Sequence, residues 1–447
     1  MAPEPALAAR AAALDADWLS RRRWFRSKRR PLGGVEVVDA ASLDGPGSWL
    51  LVLRARFRDG GEERYLVPAV EDGGRLREPE DGDGAWLAIA RRAAAGPPEA
   101  AGQGSTFPFE STPAHGELLD AGGDPATTLA SLGERRFTGE QSNTSVRLGD
   151  VLVLKIYRLL EPGTNPELEV NAFLTRLGFR YAPALGGVVS YHPANGEPAA
   201  AAMLQALVPS RGDGWDWVLR SLASPPDGPL RAMAGASQVG GVTAELHAAL
   251  AARPEEEGFP ARPATGEERQ AWRRGAEERL AAALGALDGG DAERLERLAP
   301  RIRERFAAIE DAEGARLSRI HGDYHLGQLL RTDEGFMVVD FEGEPARPLA
   351  ERRHPASPLR DVAGMLRSLD YAAQMGERQA DRSFDAEGWL SEARGAFLTA
   401  YGFMGPAEEA LLAAFELEKA CYEVAYEANN RPAWTWLPLA AVEQLAR

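Results

Sequence analysis

The sequence predicts an α+β chain of two lobes preceded by an N-terminal β-rich cap domain. Three observations carry that prediction. Residues 1–110 hold β-rich runs around a glycine turn. Residues 125–207 form a second strand-rich unit, with one lysine inside an apolar strand. Residues 208–447 are mostly helical in pattern, interrupted only by loops and short strands between Ile320 and Val339. A length of 447 residues suits two or three units with substantial cores.

In the cap, Asp17-Trp18-Leu19-Ser20 and the following Arg21-Arg22-Arg23-Trp24-Phe25 read as a short helix with a basic face and two aromatic anchors. The arginines at 21–23 and the basic run 26–30 read as a solvated helix face, with a partner surface as the alternative. Trp49–Phe57, the turn Asp59-Gly60-Gly61 and Glu63–Val70 carry a hairpin signal. The Ala-, Gly- and Pro-rich stretch Ala93–Gly104 reads as a loop.

The second unit runs as strand, tight polar turn and strand. Its parts are Arg135-Arg136-Phe137, the turn Ser142-Asn143-Thr144-Ser145, and Val151–Tyr157, which carries Lys155. Asn165-Pro166 opens a helix through Leu174, because Asn caps and Pro fits the first turn. Ala201–Val208 is a further short apolar run.

Bulk properties exclude several classes. A formal net charge of −16 repels nucleic-acid backbones, so no nucleic-acid partner is expected. Any nucleotide must then be held by local cations and a metal. The single cysteine, Cys421, excludes an intrachain disulfide and reads as a small buried hydrophobe. No apolar run of about 18 residues argues for a membrane span. The opening Met1-Ala2-Pro3-Glu4-Pro5 lacks the basic and apolar regions of a signal peptide, so a cytoplasmic location is expected.

The chemistry concentrates at His321-Gly322-Asp323. Alone this is a common acidic turn. Gln328, five positions after Asp323, offers an amide oxygen to a hard cation, and Asp340 ends the apolar run Gly335–Val339. Phosphoryl transfer needs a carboxylate to take the acceptor's proton, an amide oxygen on Mg²⁺, and a carboxylate on the metal that bridges the phosphates. The turn Ser142–Ser145 can cover phosphates with N–H groups and hydroxyls. Lys155 sits where a charge inside an apolar strand needs a partner or a role. Glu169, on the next helix, is the expected ion-pair partner. The order turn, Lys, Glu, His-Gly-Asp, amide, Asp predicts an ATP-dependent kinase with Mg²⁺.

These residues resemble the aminoglycoside-phosphotransferase-like branch of the protein-kinase-like fold, whose catalytic loop is His-Gly-Asp-x-His. Within it the chain most resembles the bacterial maltokinases, which phosphorylate maltose at its reducing end. The resemblance is carried by His321–Arg331, Asp340–Arg352, Ser357–Ser368 and Glu418–Pro432, with Trp18–Phe25 resembling that family's cap. It implies Asp323 as base, Gln328 and Asp340 on Mg²⁺, and Lys155 with Glu169 on ATP phosphates. It implies Ser142, Asn143, Thr144 and Ser145 as the phosphate-covering loop, and Gln205 to Leu207 as the hinge against adenine. His325, Arg347, Tyr426, Glu427 and Asn430 are the candidates for the sugar side. Tyr422, Glu423 and Tyr426 recur at helical spacing, and Trp434 and Trp436 are candidate stacking rings. Maltose 1-phosphate would feed trehalose and glycogen metabolism, and a trehalose-isomerising enzyme is the partner implied. A monomer is expected.

Two segments depart from that family's pattern. Pro432–Pro438 is longer than the usual Pro-x-Trp-Leu-Pro, and Phe25-Arg26-Ser27-Lys28 lacks small residues before the lysine. The first departure bears on the sugar. The rival acceptor is glucosamine, for a kinase of the same fold whose metal motif runs more like Asp-Phe-Asp-Gly-Asn-Pro. Asp340-Phe341-Glu342-Gly343-Glu344-Pro345 favours maltose. An aminoglycoside phosphotransferase and an inactive kinase-fold binding protein are the remaining alternatives. The cap argues against the first, and the presence of Asp323, Asp340 and Lys155 against the second.

Overall fold

Glycine-bounded β-rich runs in the first half and long amphipathic helices in the second divide the chain into two units, Met1–Pro209 and Ser210–Arg447. The computed structural model describes residues 5–43, 47–95, 109–113, 129, 131–139, 142–224, 226–345, 347–379, 384–402 and 404–447. The expected loop beyond residue 95, and the expected start of the second unit near 125, lie outside the described residues. The cap and the second strand-rich unit belong to one contact unit, which ends two residues beyond the boundary read from sequence.

The first unit contains two antiparallel sheets. The cap sheet has the order β1-β2-β3-β4, with β1 Leu32–Ser42, β2 Ser48–Phe57, β3 Glu62–Asp72 and β4 Arg75–Arg77. The hairpin expected at Asp59–Gly61 is the β2–β3 connection, with Trp49 opposite Ala69 and Leu53 opposite Tyr65. Leu51, Leu53, Tyr65 and Val67 project into one core with Trp24 and Phe25, so the two aromatics after the helix Ala16–Ser20 are anchors. Residues of the opposite β2 and β3 face, including Leu50, Val52 and Leu66, join a second core shared with the next sheet. Burial of both faces explains why these strands read as near-continuous apolar runs.

The second sheet has the order β5-β9-β10-β8-β7-β6, comprising Phe109–Pro113, Leu185–Tyr191, Ala199–Ala206, Leu152–Ile156, Thr144–Leu148 and Glu134–Arg136. Helix Ala85–Ala95 fills the shared core with Trp86 and Ile89. It approaches β9 so closely that a Cβ on Gly187 would stand 2.2 Å from the carbonyl oxygen of Ala93. The Glu134 carboxylate accepts from the N–H groups of Gly82, Gly84 and Leu87 at 3.1, 2.7 and 3.1 Å. A carboxylate at a helix N-terminus meets the positive end of the dipole there.

One arginine ties the sheets together. Arg158 is fully buried. Its Nε donates to Thr144 Oγ1 at 2.8 Å, Nη1 donates to the Leu66 carbonyl at 3.4 Å, and Nη2 pairs with Glu78. Its guanidinium lies 4.6 Å over the Trp24 ring.

The second unit is helical apart from one short hairpin and one two-residue strand pair. Asp213 caps the helix Gly214–Leu222 by accepting from Asp216 N–H at 2.7 Å. Thr265 and Glu268 form a capping box on Gly266–Ala286. Gly228–Leu250, Gly289–Asp311, Leu359–Gln379, Ala386–Tyr401, Pro406–Asn430 and Trp436–Leu445 complete the main helices. Between them, β13 Leu329–Arg331 pairs with β14 Phe336–Val338, and β11 Arg262–Pro263 with β12 Arg316–Leu317. Among the described residues no helix is long and apolar enough to cross a membrane.

Candidate active site

Within the second unit, the loop His321–His325 is suspended from a buried carboxylate that the sequence reading did not assign. Asp361, near the start of helix Leu359–Gln379, accepts from His321 N–H at 2.8 Å and from Gly322 N–H at 2.9 Å. His247 Nε2 lies 3.2 Å from the same carboxylate. Burial alone would raise the Asp361 pKa. The bond and charge of His247, the His321 charge and the Gly322 N–H outweigh it, leaving Asp361 below the ordinary carboxylate value. His321 Nε2 donates to the Val339 carbonyl at 3.0 Å, which leaves Nδ1 as the acceptor 3.4 Å from Asp323 N. The loop therefore leans on the strand leading to Asp340. Tyr324 is buried with its hydroxyl 3.0 Å from Thr243 Oγ1, and a Cβ on Gly364 would come within 2.6 Å of the Tyr324 carbonyl oxygen.

These contacts hold Asp323 with its side chain partly open. Lys419 Nζ stands 3.9 Å from Asp323 Oδ1, and His325 Nε2 stands 4.0 Å from Oδ2. His325 Nδ1 accepts from Gly327 N–H at 3.0 Å, so the ring also caps the turn Leu326–Gln328. Burial lowers the His325 pKa, chiefly offset by the Asp323 charge.

The β13–β14 hairpin brings the two expected metal ligands to one end. Leu329 pairs with Val338, and Val339 N–H donates to the Gln328 carbonyl at 3.0 Å. Gln328 and Asp340 thus flank the open end of the ladder. Asp340 has φ 66°, the one non-glycine among the described residues in the left-handed region. Such a conformation costs on the order of 1–3 kcal/mol and persists where its surroundings enforce it. Asp340 and Glu342 offer carboxylate oxygens within 4.8 Å of each other. Carboxylate oxygens gathered in this way are the donor type that Mg²⁺ takes. Glu342 was missing from the predicted ligand set, although it stands inside the motif quoted for the family.

In the first unit, Lys155 is a buried cation with a bidentate partner. Its Nζ lies 2.8 and 3.0 Å from the Glu167 carboxylate oxygens, and Tyr157 Oη donates to Glu167 at 2.7 Å. Glu169 was expected as this partner. The correction follows from the helix start: Asn165 caps Pro166–Arg176, accepts from Glu167 N–H at 2.9 Å, and sets Glu167 on the first turn facing β8. Ser145 stands directly opposite Lys155 across β7–β8.

Other predicted nucleotide residues are placed less simply. Thr144 Oγ1 is engaged by Arg158, so its hydroxyl faces the cap. Asn143 is half-buried and Ser142 exposed on the turn before β7. Gln205 lies in the β10 ladder opposite Val153 and Leu185. Leu207 N–H donates to Val151 O at 2.8 Å, so a hinge role for Leu207 would use its carbonyl.

A cavity of about 600 Å³ opens beside Asp323 within the second unit. Its walls include Trp272, Arg279, Glu344, Arg347, Arg360, Glu418, Lys419 and Tyr422. Of the predicted sugar-side residues, Arg347 lines it. His325, Tyr426, Glu427 and Asn430 are not among its walls. The helix explains the difference: Asn430 Nδ2 donates to its own Tyr426 carbonyl at 2.8 Å, and buried Glu427 binds Arg431 Nε at 2.9 Å. Tyr426 stacks on Tyr422 with its ring outward. Trp434 and Trp436 lie under Arg431 and Arg378 at 5.0 and 3.9 Å. Lys419 and Tyr422 sit three apart on one face of Pro406–Asn430, a spacing visible in sequence. Arg279 and Glu344, far apart in sequence, had no local signal.

The chain is similar to known proteins. Residues 133–409 match the family model "Phosphotransferase enzyme family", and residues 18–95 match "Maltokinase N-terminal cap domain". A glucosamine kinase of Streptacidiphilus jiangxiensis is 33% identical over 409 residues, spanning 85% of each chain. One of Mycolicibacterium smegmatis is 31% identical over 403 residues, covering 87% of this chain and 96% of that one. A solved glucosamine kinase in complex with glucosamine, ADP and inorganic phosphate superposes with a TM-score of 0.73 at 29% identity, covering all of both chains.

Proposed function

We infer that this chain, which belongs to the phosphotransferase enzyme family and is a sugar kinase, transfers the γ-phosphoryl group of ATP to a neutral sugar, with maltose as the preferred acceptor. The observation that carries the choice is the charge pairing in the cavity beside Asp323. Glu344 lies 3.2 Å from Arg279 and 2.7 Å from Arg347. Glu418 accepts from Arg360 at 2.9 Å. Burial would raise the Glu344 pKa, yet Arg279 and Arg347 hold it below the ordinary value. Glu344 and one oxygen of Glu418 are thus paired with arginines, while Glu418 Oε2 has no hydrogen-bond partner among the described residues. Hydroxyl groups suit such a wall, since paired ions still accept and donate hydrogen bonds. A volume of about 600 Å³ is within the usual range for an organic ligand, and Trp272 and Tyr422 offer ring faces.

In this reading Asp323 accepts the proton of the attacking hydroxyl, with the Lys419 ammonium 3.9 Å from its carboxylate. Lys155, held by Glu167, neutralises phosphate oxygens. Gln328, Asp340 and Glu342 would hold Mg²⁺, which would supply charge neutralisation to the phosphoryl group. Catalysis is then positioning and electrostatics.

Glucosamine is the second reading, because the relatives above are named for it. An ADP-release assay over maltose, glucose, glucosamine, trehalose and kanamycin decides. Highest kcat/KM for maltose is expected. A clear preference for glucosamine would overturn the acceptor and leave the phosphoryl-transfer reading intact.

A further inference from the structure

A second cavity, of about 320 Å³, lies in the first unit, between the turn after helix Ala16–Ser20 and the loop that joins β6 to β7. Its walls carry Arg21, Arg22, Arg23 and Arg136 around Glu78, with Phe137 at the rim. Of its walls, only Asn143 and Thr144 belong to the phosphoryl-transfer reading, and none of the arginines does.

The charges do not balance. Glu78 serves three arginines at once: Arg158 pairs with it directly, Arg22 lies at 3.6 Å and Arg136 at 3.8 Å. Trp24 Nε1 donates to it as well, at 3.2 Å. Burial would raise the Glu78 pKa, but Arg158, Arg136, the Trp24 bond and Arg22 outweigh it. Arg21 has only a long contact of 3.4 Å to the exposed Asp17, and Arg23 donates to the Thr138 carbonyl at 3.0 Å. Among the described residues the cavity walls therefore carry four guanidinium groups and one carboxylate, Glu78, with Asp81 accepting from the Arg136 N–H beside them at 2.9 Å. In a chain of net charge −16, so local an excess of cations is a binding feature for an anion and not a consequence of composition. Guanidinium groups recognise phosphate oxygens in pairs. Phe137, 44% exposed, offers an apolar face beside them.

We propose that this arginine-lined cavity is a regulatory site for a phosphate monoester with a sugar body, the chemical class of the reaction's own product. The occupant is coupled to the nucleotide-covering turn by a short covalent and hydrogen-bonded path. Asn143 and Thr144 form part of the cavity wall, and Thr144 Oγ1 is bonded to the same Arg158 that pairs with Glu78. An anion that draws Arg22 and Arg136 from Glu78 alters the partner of Arg158, and so the seat of Thr144. The coupling rests on the reading of Ser142–Ser145 as the phosphate-covering turn and is independent of which sugar is phosphorylated.

The test is calorimetric binding of ADP with Mg²⁺ to the full chain, with and without glucose 1-phosphate, and with inorganic phosphate as a second probe. Glucose 1-phosphate is expected to bind together with ADP and to change the ADP Kd by about five-fold or more, with the reciprocal change in its own Kd. The variant Arg21→Ala/Arg23→Ala, which leaves the partners of Glu78 in place, is expected to lose glucose 1-phosphate binding while keeping the ADP Kd measured without it. Failure of glucose 1-phosphate to bind, or binding that survives in the variant, overturns the proposal. So does simple competition with ADP, which would make the cavity part of the nucleotide site. Equally tight binding of inorganic phosphate overturns the requirement for a sugar body. The acceptor reading is left untouched by all of these results, because no sugar is phosphorylated in the measurement.

Discussion

Asp361 accepts from the backbone N–H of His321 at 2.8 Å, across 40 residues of sequence, and so fixes where the loop bearing Asp323 begins. The Asp361 carboxylate, not a covalent neighbour, sets the position of the proposed base. Asp361→Asn should lower kcat at least ten-fold and destabilise the fold by about 1.5–3 kcal/mol, the worth of charged hydrogen bonds. Because the folded Asp361 pKa lies below the ordinary carboxylate value, its contribution is present above that ordinary value. It is lost as pH falls through the folded one. Acid unfolding of the variant, followed by circular dichroism, should therefore converge with that of the parent at the lowest pH.

Asp323→Asn should cut turnover by about 100-fold or more, the usual worth of a positioned base. Asp340→Asn should abolish ATP-dependent ADP release with an unchanged far-ultraviolet spectrum. Near-normal rates in either variant would remove the assigned role.

Glu167→Gln and Glu169→Gln separate two carboxylates that lie two residues apart. Removal of the Glu167 charge leaves Lys155 buried without its bidentate partner. A loss of about 3 kcal/mol in urea unfolding and a raised KM for ATP are expected. Glu169→Gln should change both much less. Equal effects would return the ion pair to Glu169.

Arg158→Leu should be among the costly substitutions in the first unit, at about 3–5 kcal/mol. It leaves half-buried Glu78 short of its direct partner and removes a donor from Thr144. Thermal unfolding of the variant checks this.

Cys421 is fully buried, and burial pushes its thiol up to about 12. The native protein should resist a maleimide reagent at pH 8 and react only on unfolding, since the thiolate is the nucleophile. Rapid labelling of folded protein would contradict the packing of helix Pro406–Asn430.

The sequence by itself determined the α+β class, the cap hairpin, the helix started by Asn165-Pro166, and the short strand that ends before Asp340. Each of these is written in short-range signals: a glycine turn between β-rich runs, a cap before a helix, a loop and a hairpin only a few residues long. What only the tertiary structure decided is which groups meet across long separations. Glu167, on the first turn of its helix, meets Lys155 with both carboxylate oxygens. Asp361 and His247 anchor the loop although 114 residues separate them. Arg279 and Glu344 meet at 3.2 Å from different elements. Tyr426, Glu427 and Asn430, which share a family motif, are bound up within their own helix instead of lining the cavity. Motif and periodicity place residues on an element. The direction each side chain faces, and the partner it finds, come from packing.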